Sequence, residues 1–229
     1  MPKAIATLDA TDLLHGAFYA LEQGGRLLHD AVSLWNQHRY SSAVVLAVFA
    51  REEIGRFKIL LQERDEALRS GPRSVQDVRK LVNDHKEKLR TAPAGMSLHF
   101  NASAPGLEGL NAHPQSPEFQ KAHAILDERM RQKGERQPQT THLTRMSALY
   151  VDVDEDTKAW KRPAKTTAGA GGLLLQEIAS DYSHRYSYLA NPNDYYREPF
   201  EAFLAWDARP TLPEPVWPTL SQVALPMED

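Results

Sequence analysis

Two carboxylates, Glu52 and Glu53, and three cations, Arg51, Arg56 and Lys58, fall within two helical turns of each other, just after the most hydrophobic run of the chain. Further on, the stretch HKEKLR adds His85 and Lys88. An imidazole takes or gives a proton near neutral pH, a neighbouring carboxylate orients it, and cations hold phosphate. These are parts that cleavage of a phosphodiester would need, a base, a complementary acid and positive charge for the pentacoordinate phosphorus; the plainer alternative is an i, i+4 ion pair with a glutamate at the core boundary and a core-facing packing histidine. In a cleavage site His85 serves as base or acid and Glu53 or Glu52 as its partner, while Lys88, Arg56 and Arg145 contact phosphate. Asp152, Asp154, Glu155 and Asp156 have the carboxylates of a calcium loop but lack its glycine and distal glutamate. They read as a solvated acidic edge unless the apolar neighbours of Asp152 draw it inward.

The element that must position these groups is a helix over Ser41–Arg69. Its Ala43, Ala47, Ala50, Ile54, Phe57, Leu61 and Leu68 recur at alternating spacings of four and three, the seam of a helix packed on other helices. Between Ala43 and Ala50 every residue is apolar, so that half has no solvent face. At about 100° per residue Glu53 falls near the edge of the seam, whereas Glu52 and Arg56 point away from it as an i, i+4 pair. Gly55 costs about 1 kcal/mol in mid-helix relative to alanine and implies a packing or access reason.

A preceding helix, capped by Asp9 or Thr11 and running to about His38, has the seam Leu14, Phe18, Leu21, Gly25, Leu28, Val32 and Trp35. Gly24 and Gly25 imply a kink or a close neighbouring backbone. The short link Gln37–Tyr40 makes the two helices an antiparallel hairpin. Ser74 and Asp77 form a capping-box pattern for a third helix, Val75 to about Arg90, with the seam Val75, Val78, Val82, His85 and Leu89. Proline, glycine and asparagine make 91–117 a long loop, and Pro117 opens a short helix to about Lys133 carrying Phe119, Ala122, Leu126 and Met130. Leu149, Val151 and Val153 alternate, so 142–163 reads as extended. A last long helix starts at Thr166 or Thr167 and ends near Leu189, with Leu175, Ile178, Tyr182 and Leu189 inward and Glu177, Asp181, His184 and Tyr188 beside them. The Pro-rich remainder, with three apolar anchors, Phe200, Phe203 and Trp206, followed by Trp217, reads as an irregular strap on the bundle or a partner subunit. The fold class is therefore all-α, an antiparallel helical bundle over about 1–190 with an insertion at about 91–141, an extended segment at about 142–165, and a strap over 191–229.

The 229 residues, 41% hydrophobic, suffice for one sizeable core. A net charge of −3 excludes a basic nucleic-acid coat and confines any RNA contact to a local patch. Absence of cysteine excludes disulfides, thiolate metal sites and cysteine nucleophiles and fits a reducing cytosol. No apolar run approaches the roughly 20 residues of a membrane span, and the N-terminus lacks a signal-peptide core, so a cytoplasmic protein without membrane contact is expected. Carboxylate-bridged di-metal chemistry in a bundle needs E-x-x-H, which occurs nowhere in the chain, and no metal or other cofactor is expected.

Three blocks, in order, resemble the AbiV-type abortive-infection family, a branch of the HEPN superfamily of helical bundles. AVVLAVFAREEIGRFKIL resembles the family's apolar helix ending in E-E-x-G-K, with Arg56 in place of the usual lysine; in HKEKL, His85 and Lys88 match an H-x-x-K; and in RMSALYVDVDEDTKAWKRP, Arg145, Leu149, Tyr150, Val151 and Asp152 match an L-Y-V-D segment, with Trp160 and Pro163 following. At Gln23, Gly24 and Gly25 an Asn-Ala pair is more usual. The resemblance, over roughly residues 10 to 190, implies a HEPN-like bundle that acts in phage defence by stopping growth or translation. It also implies a homodimer with its site near the interface, and a phage-derived trigger. Many superfamily members are metal-independent endoribonucleases using R-x4-6-H. Arg79 and His85 satisfy that spacing by letter, though on one straight helix they would lie about 120° apart; Tyr150, Asp152 and Arg79 would support the site.

Two functions from different classes follow. One is RNA cleavage by the set above, without a metal. The other is a non-catalytic inhibitor of a ribosomal or phage component, bound through the 142–163 segment and the tail, with Glu53, His85, Lys88 and Asp152 as a buried network that holds helices together.

Overall fold

The first helix starts where a short acidic side chain can satisfy its free amides. In the computed structural model, which describes residues 6–91, 116–118, 120–122, 124–125, 152–153, 158, 160–161, 168–192 and 196–219, α1 spans Ala10–Asn36. Asp9 is its N-cap: Oδ1 accepts from Thr11 N and Asp12 N at 2.8 Å each, and Asp12 Oδ2 accepts from Asp9 N at 3.1 Å. That reciprocal pair is a capping box, here built from two aspartates.

The chain reverses through His38, whose φ of 60° lies in the left-handed region, and enters α2, Tyr40–Ser70. Every expected seam residue of α2 is buried except Leu68, which is 60% exposed near the helix end. Gly24 and Gly25 both serve close approach. A Cβ at Gly24 would meet the Ala50 carbonyl of α2 at 3.3 Å, and one at Gly25 would overlap the Tyr182 hydroxyl.

After Gly71, β1 (Thr7–Leu8) pairs antiparallel with β2 (Arg73–Ser74), Thr7 opposite Ser74. Ser74 therefore enters α3, Val75–Asn83, through this ladder, and its side chain makes no capping bond. The helix expected over 75–90 is broken. Asp84 adopts an extended conformation with ψ 107°, and α4 begins anew at His85 and runs to Thr91. Asp84 Oδ1 accepts from Lys86 N at 2.9 Å and Glu87 N at 3.1 Å, so a side chain that caps well competes successfully with helix continuation. The break ends the expected seam. Val78, Lys88 and Leu89 are buried, whereas His85 is exposed.

Residues 117–118, 120–122 and 124–125 are helical, and Ala122 is buried; Phe119, Leu126 and Met130 lie outside the described residues. In the segment expected to be extended, β3 (Asp152–Val153) pairs antiparallel with β4 (Trp160–Lys161). The last long helix, α5, is Ala168–Ser187, with Leu175, Ile178 and Tyr182 buried as expected.

The tail contains a further helix, α6, Arg197–Ala205, where an irregular strap is expected. Phe200 and Phe203 pack onto Phe18 with ring centroids 5.0 and 4.0 Å away, and Phe57 closes the cluster. Arg64 of α2, almost fully buried, pairs with Glu198 of α6. Residues 206–219 are the irregular part. They lie along α1, from Trp206 stacked on His15 at 3.7 Å, past the Glu214 carbonyl at His29, to the Thr219 carbonyl, which accepts from Trp35 Nε1 at 3.2 Å. Midway, the Tyr182 hydroxyl donates to the Pro213 carbonyl at 2.7 Å. Tyr182→Phe removes that bond and leaves the carbonyl to find another donor. The expected loss is about 1 kcal/mol, a fall of roughly 2–4 °C in the thermal midpoint of a chain this size.

Candidate functional site

The break at Asp84 decides where the chemistry sits. It lets α4 turn onto the face of α2 that carries Glu52 and Gly55. At Gly55 a Cβ would fall on the Lys88 carbonyl oxygen, so the backbone of α4 rests directly on that of α2. This closeness buries Glu52. Its Oε2 accepts from His85 Nδ1 at 2.7 Å and forms an ion pair with Lys88 Nζ at 3.2 Å. The Glu52 and Lys88 side chains are each 3% exposed, the His85 side chain 51%.

A carboxylate only accepts, so the ring is placed with Nδ1–H towards Glu52 and Nε2 left as its second nitrogen. The three groups form a buried carboxylate shared by a buried ammonium and a half-exposed imidazole.

Two expectations are corrected here. Glu52 does not face solvent with Arg56, because α4 covers that side of α2. Arg56 instead pairs with Glu53 at 2.8 Å, one turn back. Burial pushes the Glu53 carboxyl above its usual range, against the pull of Arg56 and Lys88. Lys88, offered above as a phosphate contact, is enclosed and bound to Glu52. Arg79 is exposed on α3, makes no ion pair among the described residues, and is separated from His85 by the break, so the two share no helix face. Arg145 and Tyr150 lie outside the described residues, and of Asp152 only the backbone, in β3, is described. Among the described residues no three His, Asp or Glu side chains come together as a metal-holding group.

A second layer of charge, between α2 and α5, was not assigned from the sequence. Arg51 is fully buried, with Nη1 3.7 Å from Glu177 Oε2; desolvation lowers its pKa against the opposing pull of Asp181 and Glu177. Asp181 is buried, and desolvation raises its carboxyl to about 6 despite Arg185 and Arg51. Arg185 Nη1 donates to the Asp181 carbonyl at 2.8 Å. Lys58 is lowered by burial and by Arg185. The signal was present. Glu177, Asp181 and Arg185 recur every four residues beside the apolar seam Leu175, Ile178 and Tyr182, and Arg51 and Lys58 are seven apart on another helix.

Asp181 gives a pH dependence with a definite sign. Its folded pKa lies above the unfolded value near 3.9, so the folded state holds the proton more tightly. The stability it contributes is present below about pH 4 and is lost as pH rises to about 6. In Asp181→Asn this component is absent. Thermal midpoints of wild type, measured relative to that variant, are expected to decline from pH 4 to pH 6, by on the order of 2–3 kcal/mol in stability.

Among known proteins, the family model described as AbiV, of the HEPN type, matches residues 12–178, a range that includes Glu52, His85 and Lys88. No curated protein and no solved structure matches the chain.

Proposed function

Because the chain belongs to the AbiV family of HEPN proteins, we propose that it acts in abortive infection, halting growth or translation in a phage-infected cell by cutting RNA with the Glu52–His85 pair. The observation that carries the chemistry is the 2.7 Å contact between buried Glu52 and half-exposed His85. With Nδ1–H held by the carboxylate, Nε2 takes the proton of a ribose 2′-OH. The 2′-oxygen attacks the adjacent phosphorus, the bond to the 5′-oxygen breaks, and the imidazolium returns its proton to that leaving oxygen. The products are a 2′,3′-cyclic phosphate and a 5′-hydroxyl. Arg56, one turn from Glu52 and with its side chain 31% exposed, is a cation that meets solvent and can face the phosphorane charge. The working form in this reading is a homodimer, with a phage component as trigger.

Purified protein incubated with total cellular RNA in EDTA tests it. Fragments ending in 2′,3′-cyclic phosphate are expected. Intact RNA both with the protein alone and with an extract of phage-infected cells added, or cleavage that EDTA abolishes, overturns this mechanism.

The near-complete burial of Glu52 and Lys88 favours a second reading, a non-catalytic inhibitor of a ribosomal or phage component in which the same contacts fix α4 on α2. In that case growth arrest survives His85→Ala. The stability burden of this network falls on Glu52 and Lys88 rather than on His85, which is too exposed to carry it.

A further inference from the structure

Where the end of α5, the end of α6 and the root of the strap meet, they leave a cleft of about 420 Å³. Small-ligand sites span about 300–1,000 Å³. The floor is mostly aliphatic, made by Leu189 just past α5, Leu204 of α6, and Pro210 and Leu212 of the strap. Two charged residues of the strap, Asp207 and Arg209, line the same cleft and are exposed, so they form its rim. We propose that this cleft binds a free α-amino acid with an aliphatic side chain, its ammonium on Asp207, its carboxylate on Arg209 and its side chain on the leucines. No lining residue comes from α2 or α4, so the cleft is separate from Glu52 and His85, and the inference stands whether or not the protein cuts RNA.

The charges are placed for a ligand rather than for each other. Asp207 and Arg209 are of opposite sign and two residues apart, yet among the described residues no ion pair joins them to one another or to a third group. The backbone between them closes a turn. Arg209 N donates to the Trp206 carbonyl at 3.1 Å, and Arg209 Nη1 donates to the same oxygen at 3.3 Å. Trp206 is itself stacked on His15 at 3.7 Å. The guanidinium is thus tethered by one donor while its others stay open, and a guanidinium holds a carboxylate by two parallel bonds. Asp207 directly follows Trp206, the C-cap of α6, so the negative end of the helix dipole adds to the carboxylate as a place for an ammonium. A ligand with a single charge would leave one rim group unmatched, whereas a zwitterion meets both.

The floor selects the ligand's side chain. A flat base stacks on an open aromatic face. Phe203 offers none, being 1% exposed with its ring against Phe18 at 4.0 Å. Leu204, by contrast, is 43% exposed, and a branched aliphatic chain laid on it removes that apolar surface from water. Such a ligand touches α5, α6 and the strap together, so its binding stabilises the fold.

The test is isothermal titration of the full chain with L-leucine, with melting curves on the same preparations. One saturable site with a dissociation constant below about 1 mM is expected, and saturating leucine is expected to raise the thermal midpoint. Three probes each lack one part: 4-methylpentanoate the ammonium, leucinamide the carboxylate and glycine the side chain. Each is expected to bind at least about tenfold more weakly than leucine. Asp207→Asn and Arg209→Gln are expected to weaken leucine by a similar factor, about tenfold or more, and both positions are exposed, so the free protein should melt as wild type does. Leu204→Asp, which sets a carboxylate in the floor, serves where Arg209→Gln does not fold. Absence of leucine binding up to about 10 mM overturns the inference. So does leucinamide binding as well as leucine, or leucine binding that the rim variants leave unchanged. Guanosine monophosphate is the remaining arm: if it binds in a way that Asp207→Asn weakens while leucine does not bind, the cleft is a base site and the amino-acid assignment falls.

Discussion

His85→Ala is expected to lower RNA cleavage by about 10²–10⁴-fold, the usual contribution of a positioned general base, with the fold intact. Intactness follows from the site's geometry. The ring is half-exposed and makes one side-chain hydrogen bond, to Glu52, which keeps Lys88 as its partner when the imidazole is gone. A loss of about 1 kcal/mol covers one such bond, or roughly 2–4 °C in thermal midpoint. Cleavage rates on a defined single-stranded RNA, growth arrest on expression, and a melting curve read the three quantities separately. A folded His85→Ala protein that still cleaves at the wild-type rate would exclude His85 as the base. A variant that melts far below wild type would instead show that the ring holds structure.

Gly55→Ala is expected to be the most damaging glycine-to-alanine change among the described glycines. The added Cβ collides with the Lys88 carbonyl oxygen, with the Lys88 carbonyl carbon at 2.8 Å and its Cα at 3.1 Å, all of them backbone. No side chain can swing aside, so α4 must lift from α2 and take His85 and Lys88 away from Glu52. Overpacking of this kind costs about 1–3 kcal/mol or more, against a helix-propensity gain of about 1 kcal/mol. The strain and the uncovered Glu52 carboxylate outweigh that gain, and a net loss of about 2 kcal/mol corresponds to roughly 4–8 °C. Gly16→Ala is the control. There a Cβ would meet only Leu60 Cδ1, at an ordinary 3.5 Å, so the propensity gain remains and stability stays level or rises. If Gly55→Ala proves as benign as Gly16→Ala, the close seating of α4 on α2 is wrong, and the proposed site with it.

What the sequence revealed and what it concealed divide along one line. Periodicity locates a helix and its seam relative to its own axis, and so α1, α2, their hairpin, the Asp9 cap and the inward residues of α5 were legible. Periodicity does not say which other elements cover the remaining faces. Glu52 lay outside the seam that faces α1 and was therefore expected in solvent, yet α4 covers it. That covering depends on Asp84, a capping residue inside an apparently continuous pattern, where local side-chain bonding and helix propagation differ by little. His85 was expected in the seam for the same reason, and the break moved it out. The His85–Glu52 partnership was among the pairings foreseen, but the burial of Lys88 was not, since a lysine flanked by Lys86 and Arg90 reads as part of a solvated face. In the tail, α6 was hidden by its nine-residue length and by Pro199, although its anchors Phe200 and Phe203 were recognised.

The strap along α1 also sets the order in which the molecule can be completed. Phe18 on the first helix is covered by Phe200 and Phe203, and Trp35 is held from Thr219, so the earliest segment to leave the ribosome waits for the last described ones. At about 5–20 residues per second that delay is roughly 10–40 s. Through it the α1–α2 hairpin and α4 can associate, whereas one flank of α1 stays bare. A chain released before Phe200 is made retains that bare flank for good, and such a fragment is a substrate for chaperones and proteases rather than a smaller working protein.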